Sequence, residues 1–144
     1  MANEIAAKPG LATVKALLSA AGLPVADLTD AHCEHFHYAG DASKPDGIVG
    51  IEVLGECGLL RSLVVRDDLR GSGLGSALVR RIEDYARSLG IRDVYLLTTT
   101  AQGFFEARGY QLAVREQAPA AIRSTREFAG ICPASSAFMM KRLR

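Results

Sequence analysis

The sequence has almost no net charge. Seventeen Lys and Arg against sixteen Asp and Glu leave +1 at pH 7, which excludes the strongly basic balance of a general nucleic-acid binder. Cysteine is sparse. Cys33, Cys57 and Cys132 are odd in number and far apart, which excludes a disulfide framework and points to free thiols in a reducing compartment. No apolar run reaches the span of about 18 residues that a membrane helix needs. The start, Met1-Ala2-Asn3-Glu4, lacks a basic segment and an apolar signal core, so a cytoplasmic protein is expected. Repeats and low-complexity tracts are also missing. What is there is 144 residues, 49% hydrophobic and 23% charged, the composition of one soluble domain over 1–144 with a real core.

Periodicity and turn residues divide the chain. Residues 4–8 read as a short first strand, broken by Pro9-Gly10. Residues 13–21 carry Val14, Leu17, Leu18 and Ala21 at helical spacing, stopped by Gly22 and Pro24. A second short helix is expected over 27–35, a strand over 36–39 and a polar turn region over 40–47. Residues 48–54 and 59–65 read as a hairpin around Gly55-Glu56-Cys57-Gly58. With a tight turn, Leu54 would face Leu59 and Glu52 would face Arg61. Residues 74–89 carry apolar side chains at 74, 77, 78, 82, 85, 86 and 89, a helix stripe capped by Gly90. A nearly continuous apolar strand over 94–99 implies a sheet covered on both faces. A helix over 102–108, a strand over 110–114, a short helix or loop over 119–128 and a final strand over 136–143 complete an α/β domain with a mixed sheet.

One stretch carries most of the functional signal: Leu63-Val64-Val65-Arg66-Asp67-Asp68-Leu69-Arg70-Gly71-Ser72-Gly73-Leu74-Gly75-Ser76. A strand stops at a charged turn, and a glycine-rich loop with one arginine leads directly into a helix. Free amides at a helix N-terminus, helped by the helix dipole, form an anion seat. The loop is not a Walker A loop, because no Gly-Lys-Ser/Thr follows. Nor is it the dinucleotide fingerprint, whose third glycine would fall at Ser76. A bare strand-to-helix turn is the plain alternative, but it rarely needs three alternate glycines and an arginine.

The pattern Arg70-x-x-Gly73-x-Gly75, placed after that strand, resembles the acetyl-CoA loop of the GCN5-related N-acetyltransferases (GNAT). The helix over 74–89, the strand over 94–99 and Phe104-Phe105-Glu106-Ala107-Arg108-Gly109-Tyr110 resemble that family's following elements. The resemblance implies a mixed, mostly antiparallel sheet of six to seven strands flanked by about four helices. It implies that Arg70, Gly71, Ser72, Gly73, Leu74, Gly75 and Ser76 hold the pyrophosphate of acetyl-CoA. It implies that the pantetheine arm lies along Leu63, Val64 and Val65 where two strands splay, with Phe105 against the cofactor. The Leu63 or Val64 amide would steady the oxyanion. Arg66, Arg80 and Arg81 are candidates for further phosphate contacts, or plain surface charge. A narrower likeness, in residues 59–65 and in Ile122-x-x-Thr125-x-Glu127-Phe128-x-x-x-Cys132-Pro133-x-Ser135, is to the small acetyltransferases of arsenic-resistance operons. That group is similar to enzymes that acetylate the amino group of phosphinothricin-like and arsinothricin-like glutamate analogues. Many similar enzymes are dimers, so a homodimer is expected.

Acetyl transfer needs a neutral amine, so a base must take a proton. Glu52, inside an apolar run, is the leading candidate; Glu56 and Glu127 follow. Glu52 is equally a cross-strand partner of Arg61, and both readings stay open. An amino-acid acceptor would bring a carboxylate that suits an arginine fork. Arg61 and Arg123 are the candidates, with Ser62 and Thr125 as neutral donors. The family's tyrosine acid is replaced by Phe105, which is tolerable because a thiol with a pKa of about 8.5 leaves readily as thiolate. His32, Cys33, His35 and His37 suggest a metal cluster, yet no second ligand pair stands at zinc spacing, and no metal is expected. The reading is therefore an acetyl-CoA-dependent N-acetyltransferase acting on a small-molecule amine. A CoA-binding sensor domain without catalysis is the alternative. Neither a nucleic-acid nor a membrane partner is expected.

Overall fold

A computed structural model describes residues 5–23, 25–131 and 136–143. Seven strands form one sheet: β1 (Ile5–Ala7), β2 (Phe36–Asp41), β3 (Lys44–Leu54), β4 (Cys57–Val65), β5 (Asp93–Thr98), β6 (Gln111–Leu112) and β7 (Ala137–Arg142). Their order is β1-β2-β3-β4-β5-β7-β6. Neighbours run antiparallel except β4 and β5, which are parallel and joined by a crossover helix, as parallel neighbours require. The helices are α1 (Leu11–Ala20), α2 (Asp30–Cys33), α3 (Leu74–Ser88), α4 (Gln102–Glu106) and α5 (Ala120–Arg123). The mixed, mostly antiparallel sheet expected from the resemblance is what forms.

The hydrophobic pattern sets the layers. On one face α3 buries Leu74, Leu78, Val79, Ile82 and Ala86 against Val49, Ile51, Leu60, Val94, Leu96 and Met139. Each such side chain contributes about 1.5–3 kcal/mol when fully buried. On the other face Val14 and Leu18 of α1, Leu28 of the following connection and Cys33 of α2 pack on Phe36 and Ile48. Ile122 of α5 covers Leu59 and Phe138. Cys33 is buried, and both Cys33 and Cys57 are free thiols. Cys132 lies outside the described residues, as do Pro133 and Ser135 of the tail pattern.

Several boundaries differ from the sequence reading. The polar segment 40–47 is mostly strand. β2 and β3 meet at a two-residue turn because the Asp41 carboxylate accepts from both the Ser43 N–H (2.9 Å) and its hydroxyl (2.8 Å). The second hairpin also closes over two residues, with Gly55 at φ 72° and Leu54 opposite Cys57. Consequently Glu52 faces Leu59 and Arg61 faces Gly50, instead of Glu52 facing Arg61. The helix expected over 27–35 shrinks to four residues. Thr29 starts it, its backbone N–H donating to His32 Nδ1 at 3.1 Å, and this frees Asp27 to turn inward. The strand expected over 110–114 keeps only two residues, because buried Tyr110 packs edge-on against Phe105. No helix among the described residues is long and apolar enough to cross a membrane.

Candidate active site

A bulge in β4 shapes the centre of the sheet. Ile48 pairs with Val64 and Gly50 with Arg61, so Ser62 and Leu63 together oppose Val49. Ser62 takes φ 62° there, a left-handed conformation that a non-glycine residue rarely adopts. Pairing of β4 with β5 stops at Leu60 and Leu96. Beyond that point the two strands part, and the edge of β4 from Ser62 to Val65 loses its β5 partner.

Two cavities meet in this splay. One of about 800 Å³ is lined by Leu63, Val64 and Val65 of β4, by Arg70, Gly71, Gly73, Gly75 and Ser76 of the glycine loop, and by Phe104 and Arg108. The loop enters the 15-residue α3 with Gly71 at φ 82° and Gly73 at φ 90°. Those left-handed turns suit glycine, and the loop leads straight into the N-terminus of α3 beside the cavity, where the dipole favours an anion. The second cavity, of about 530 Å³, is lined by Leu60, Arg61 and Ser62, by Thr98, Thr99 and Thr100, and by Phe105 and Ser136. Leu63, Thr100 and Ala101 belong to both. With Leu23, these residues form the boundary between the two spaces.

A buried charge centre stands behind the second cavity. Every nitrogen of the Arg61 guanidinium has a partner. Nη1 donates to Asp27 and to Glu52 Oε2 (3.1 Å), Nη2 to Asp27 Oδ1 (2.9 Å) and Nε to Ser62 Oγ (3.1 Å), while Nη2 forms an ion pair with Glu127 Oε1 at 3.0 Å. The Arg61 side chain is 0% exposed, those of Asp27 and Glu127 2% and 6%, and that of Glu52 14%. Glu52 is thus the member that solvent reaches most readily. Burial penalises the Asp27 carboxylate, but the Arg61 hydrogen bond and charge outweigh it and hold its pKa below the usual range. Burial pushes Glu127 up to about 7; the Arg61 charge opposes this, while the Asp27 and Glu52 charges add to it. Asp27, His32 and Glu52 bring one ligand atom each within 4.8 Å. As a metal set they are already filled. The guanidinium holds both Asp27 oxygens and one of Glu52, and His32 Nε2 lies 3.8 Å from the other.

The structure sorts the other expected residues. Arg61 is not a free fork, since a substrate carboxylate would have to displace one of its partners. Thr125 spends its hydroxyl on the Ile122 carbonyl (2.7 Å), and exposed Arg123 lines neither cavity. Phe105 lines the second cavity while its neighbour Phe104 lines the first. Arg66 is held by Asp46 and Asp68, Arg81 by the Ile5 carbonyl and Arg80 by Ser76. Two residues escaped the sequence reading. Ser136 is buried, lines the second cavity and has a hydroxyl without a partner; nothing local in the sequence marks it. Arg108 stacks on Phe104, four positions before it, and that helical spacing was readable.

The model of the acetyltransferase (GNAT) family matches residues 15–110. The chain belongs to the GNAT acetyltransferase family. The amino-acid acetyltransferase of Pseudomonas paraeruginosa is 40% identical over 73 residues, which are 51% of this chain and 17% of that protein. This GNAT chain therefore spans only a small part of that curated relative. Among solved structures, the N-acetylglutamate synthase of Neisseria gonorrhoeae, complexed with coenzyme A and N-acetyl-glutamate, superposes with a TM-score of 0.84 at 21% identity, over 100% of this chain and 36% of that one. The Mycobacterium tuberculosis protein Rv2747, solved in complex with CoA, gives 0.76 at 20% identity over 98% and 99%. The GNAT fold accounts for the splay, the glycine loop and the paired cavities together.

Proposed function

We propose that this GNAT chain transfers acetyl from acetyl-CoA to the primary amine of a small amino-acid-like acceptor, of the glutamate or glutamate-analogue kind, by direct attack in a ternary complex. The observation that carries this reading is the meeting of two cavities at Leu63. One has the amide loop and arginines suited to a diphosphate, and the other has a hydroxyl-lined wall suited to a small polar acceptor. Acetyl-CoA occupies the first. Arg70 and the amides of residues 71–76 take its diphosphate, and the free edge of Leu63, Val64 and Val65 takes the pantetheine amides. The thioester lies at the junction, where the Leu63 amide receives the oxyanion.

The acceptor enters the second cavity, where Ser62 and Ser136 offer hydroxyls. Its ammonium must lose a proton before attack. Glu52, the most accessible carboxylate around Arg61, takes it through water, and Arg61 positions Glu52. The amine nitrogen attacks the thioester carbon, the C–S bond breaks as the oxyanion collapses, and the departing CoA thiolate takes up the second proton that the nitrogen sheds on becoming an amide. The amino-acid acetyltransferase relative supports the acceptor class. Phe105, standing where the family often has tyrosine, makes the non-catalytic CoA sensor the outcome to test against.

A thiol-release assay with acetyl-CoA decides between them. The panel holds glutamate, phosphinothricin-type and arsinothricin-type analogues, other amino acids, polyamines and aminoglycosides. Acceptor-dependent thiol release with the glutamate group is expected. Calorimetric CoA binding without turnover across the panel would establish the sensor instead. Glu52→Gln should lower turnover and leave CoA affinity unchanged; full activity at pH 7 would leave Glu52 as a structural partner of Arg61.

A further inference from the structure

Most arginines around this site are already satisfied by carboxylates. Arg61 meets Asp27, Glu52 and Glu127, Arg66 meets Asp46 and Asp68, and Arg70 lies 3.4 Å from Asp67. Arg108 differs. No carboxylate among the described residues pairs with it, although it lines the larger cavity. Its guanidinium carbon sits 3.7 Å from the centroid of the Phe104 ring. Nη1 donates to the Phe104 carbonyl at 2.7 Å, while Nε is buried without a partner. Lys141 Nζ donates to the Arg108 carbonyl at 2.9 Å and to both Glu83 oxygens at 3.1 Å, which fixes the backbone beneath it.

The stacking partner is itself tied to the anion loop. A Cβ on Gly75 would lie 3.3 Å from Phe104 Cζ, so the ring rests on the first turn of α3. The plane that orients the guanidinium is thus referenced to the helix end that supplies the loop amides. A planar fork held by stacking loses little freedom when it meets a phosphate, and it matches phosphate oxygens two at a time.

We propose that Arg108 is a phosphate-binding residue of the donor cavity, closing on the diphosphate of CoA from the side opposite the glycine loop. This rests on the reading of that cavity as the CoA site. The guanidinium adds a charge to that of Arg70 and to the dipoles of the loop amides, and Phe104 and Lys141 are its positioning residues.

Calorimetry with CoA and with 3′-dephospho-CoA, on wild type and Arg108→Gln, tests it. The expected result is at least a tenfold loss of affinity, equal for both ligands, with the melting temperature of the free protein nearly unchanged. The salt dependence of CoA binding should also be shallower in the variant. Equal affinities in wild type and variant would overturn the proposal. A loss confined to CoA would assign Arg108 to the 3′-phosphate and overturn the diphosphate assignment. Wild type that fails to bind CoA would instead overturn the donor-site reading itself. Should Arg108→Gln fold poorly, the Nε–Hε resonance of Arg108 in wild type, identified by its loss in Arg108→Lys, gives a second readout. It should move on adding 3′-dephospho-CoA, and a resonance that stays in place overturns the assignment.

Discussion

Arg61 shows how much one side chain can organise here. It draws carboxylates from three separate segments, at 27, 52 and 127, into one buried centre. Removing it leaves these acids without compensation, which costs about 3–5 kcal/mol for a broken buried pair. Arg61→Met should therefore lower the denaturant midpoint strongly, even though a methionine fills much of the space. Gly50 carries a different constraint. A Cβ there would fall 2.2 Å from Phe36 Cε1, and the ring is fully buried. Gly50→Ala should destabilise by about 1–3 kcal/mol through overpacking, measured by chemical denaturation, and because β3 carries Glu52 as well, turnover should fall with it. At Gly73 the reason is conformation and charge together. With φ 90° and open space where a Cβ would go, Gly73→Glu is strained and also places a carboxylate at the anion seat. CoA affinity, read by calorimetry, should be lost; retained affinity would refute the placement of the loop.

At the scale of elements, α3 is both a core helix and a binding element, and its two ends divide the work. Its N-terminus meets the cavity, while its middle holds a second buried polar centre. Glu83 accepts from Tyr110 Oη at 2.9 Å and pairs with Lys141 at 3.1 Å. This ties α3 to the segment after α4 and to β7, and through the Lys141 bond to the Arg108 carbonyl it reaches the donor cavity. Tyr110→Phe deletes one hydrogen bond to a buried carboxylate and should cost about 1.5–3 kcal/mol. CoA affinity should fall only slightly, since Lys141 still holds the Arg108 backbone. Calorimetry and thermal melts on one preparation separate the two effects.

At the scale of the molecule, stability and ligand binding are linked. CoA at 100 times its dissociation constant should stabilise the fold by about 2.7 kcal/mol, visible as a rise in melting temperature that Gly73→Glu abolishes. Glu127 links stability to pH. Its folded pKa, about 7, stands above the ordinary 4.5. The folded state therefore holds the extra proton, and the Glu127 contribution is fully present below pH 4.5 and lost as pH rises through 7. Glu127→Gln does not titrate. Its stability relative to wild type should increase between pH 4.5 and 7 and then level off, in denaturation curves across that window. A difference independent of pH would show that Glu127 is ionised throughout.

The order of helices and strands, the covered sheet and the glycine loop were legible because each rests on neighbours in sequence: periodicity, caps and turn residues act over a few positions. The glycine loop from Arg70 to Ser76, proposed as the donor seat, was legible for the same reason, and Arg108 stood one helical turn from the aromatic it stacks on. The acceptor side was not. The hairpin closed two residues tighter than read, and the bulge at Ser62 and Leu63 then set which way Arg61 points. Once Arg61 turned inward it was saturated by Asp27 and Glu127, 34 and 66 positions away in the chain. No local pattern encodes those distances, nor the unpartnered hydroxyl of Ser136. The sequence by itself determined the fold and the place where an anion can bind, through local hydrogen bonding and hydrophobic spacing. Only the tertiary structure decided which charges are buried together, because burial is a property of packed layers that bring distant residues into one low-dielectric space.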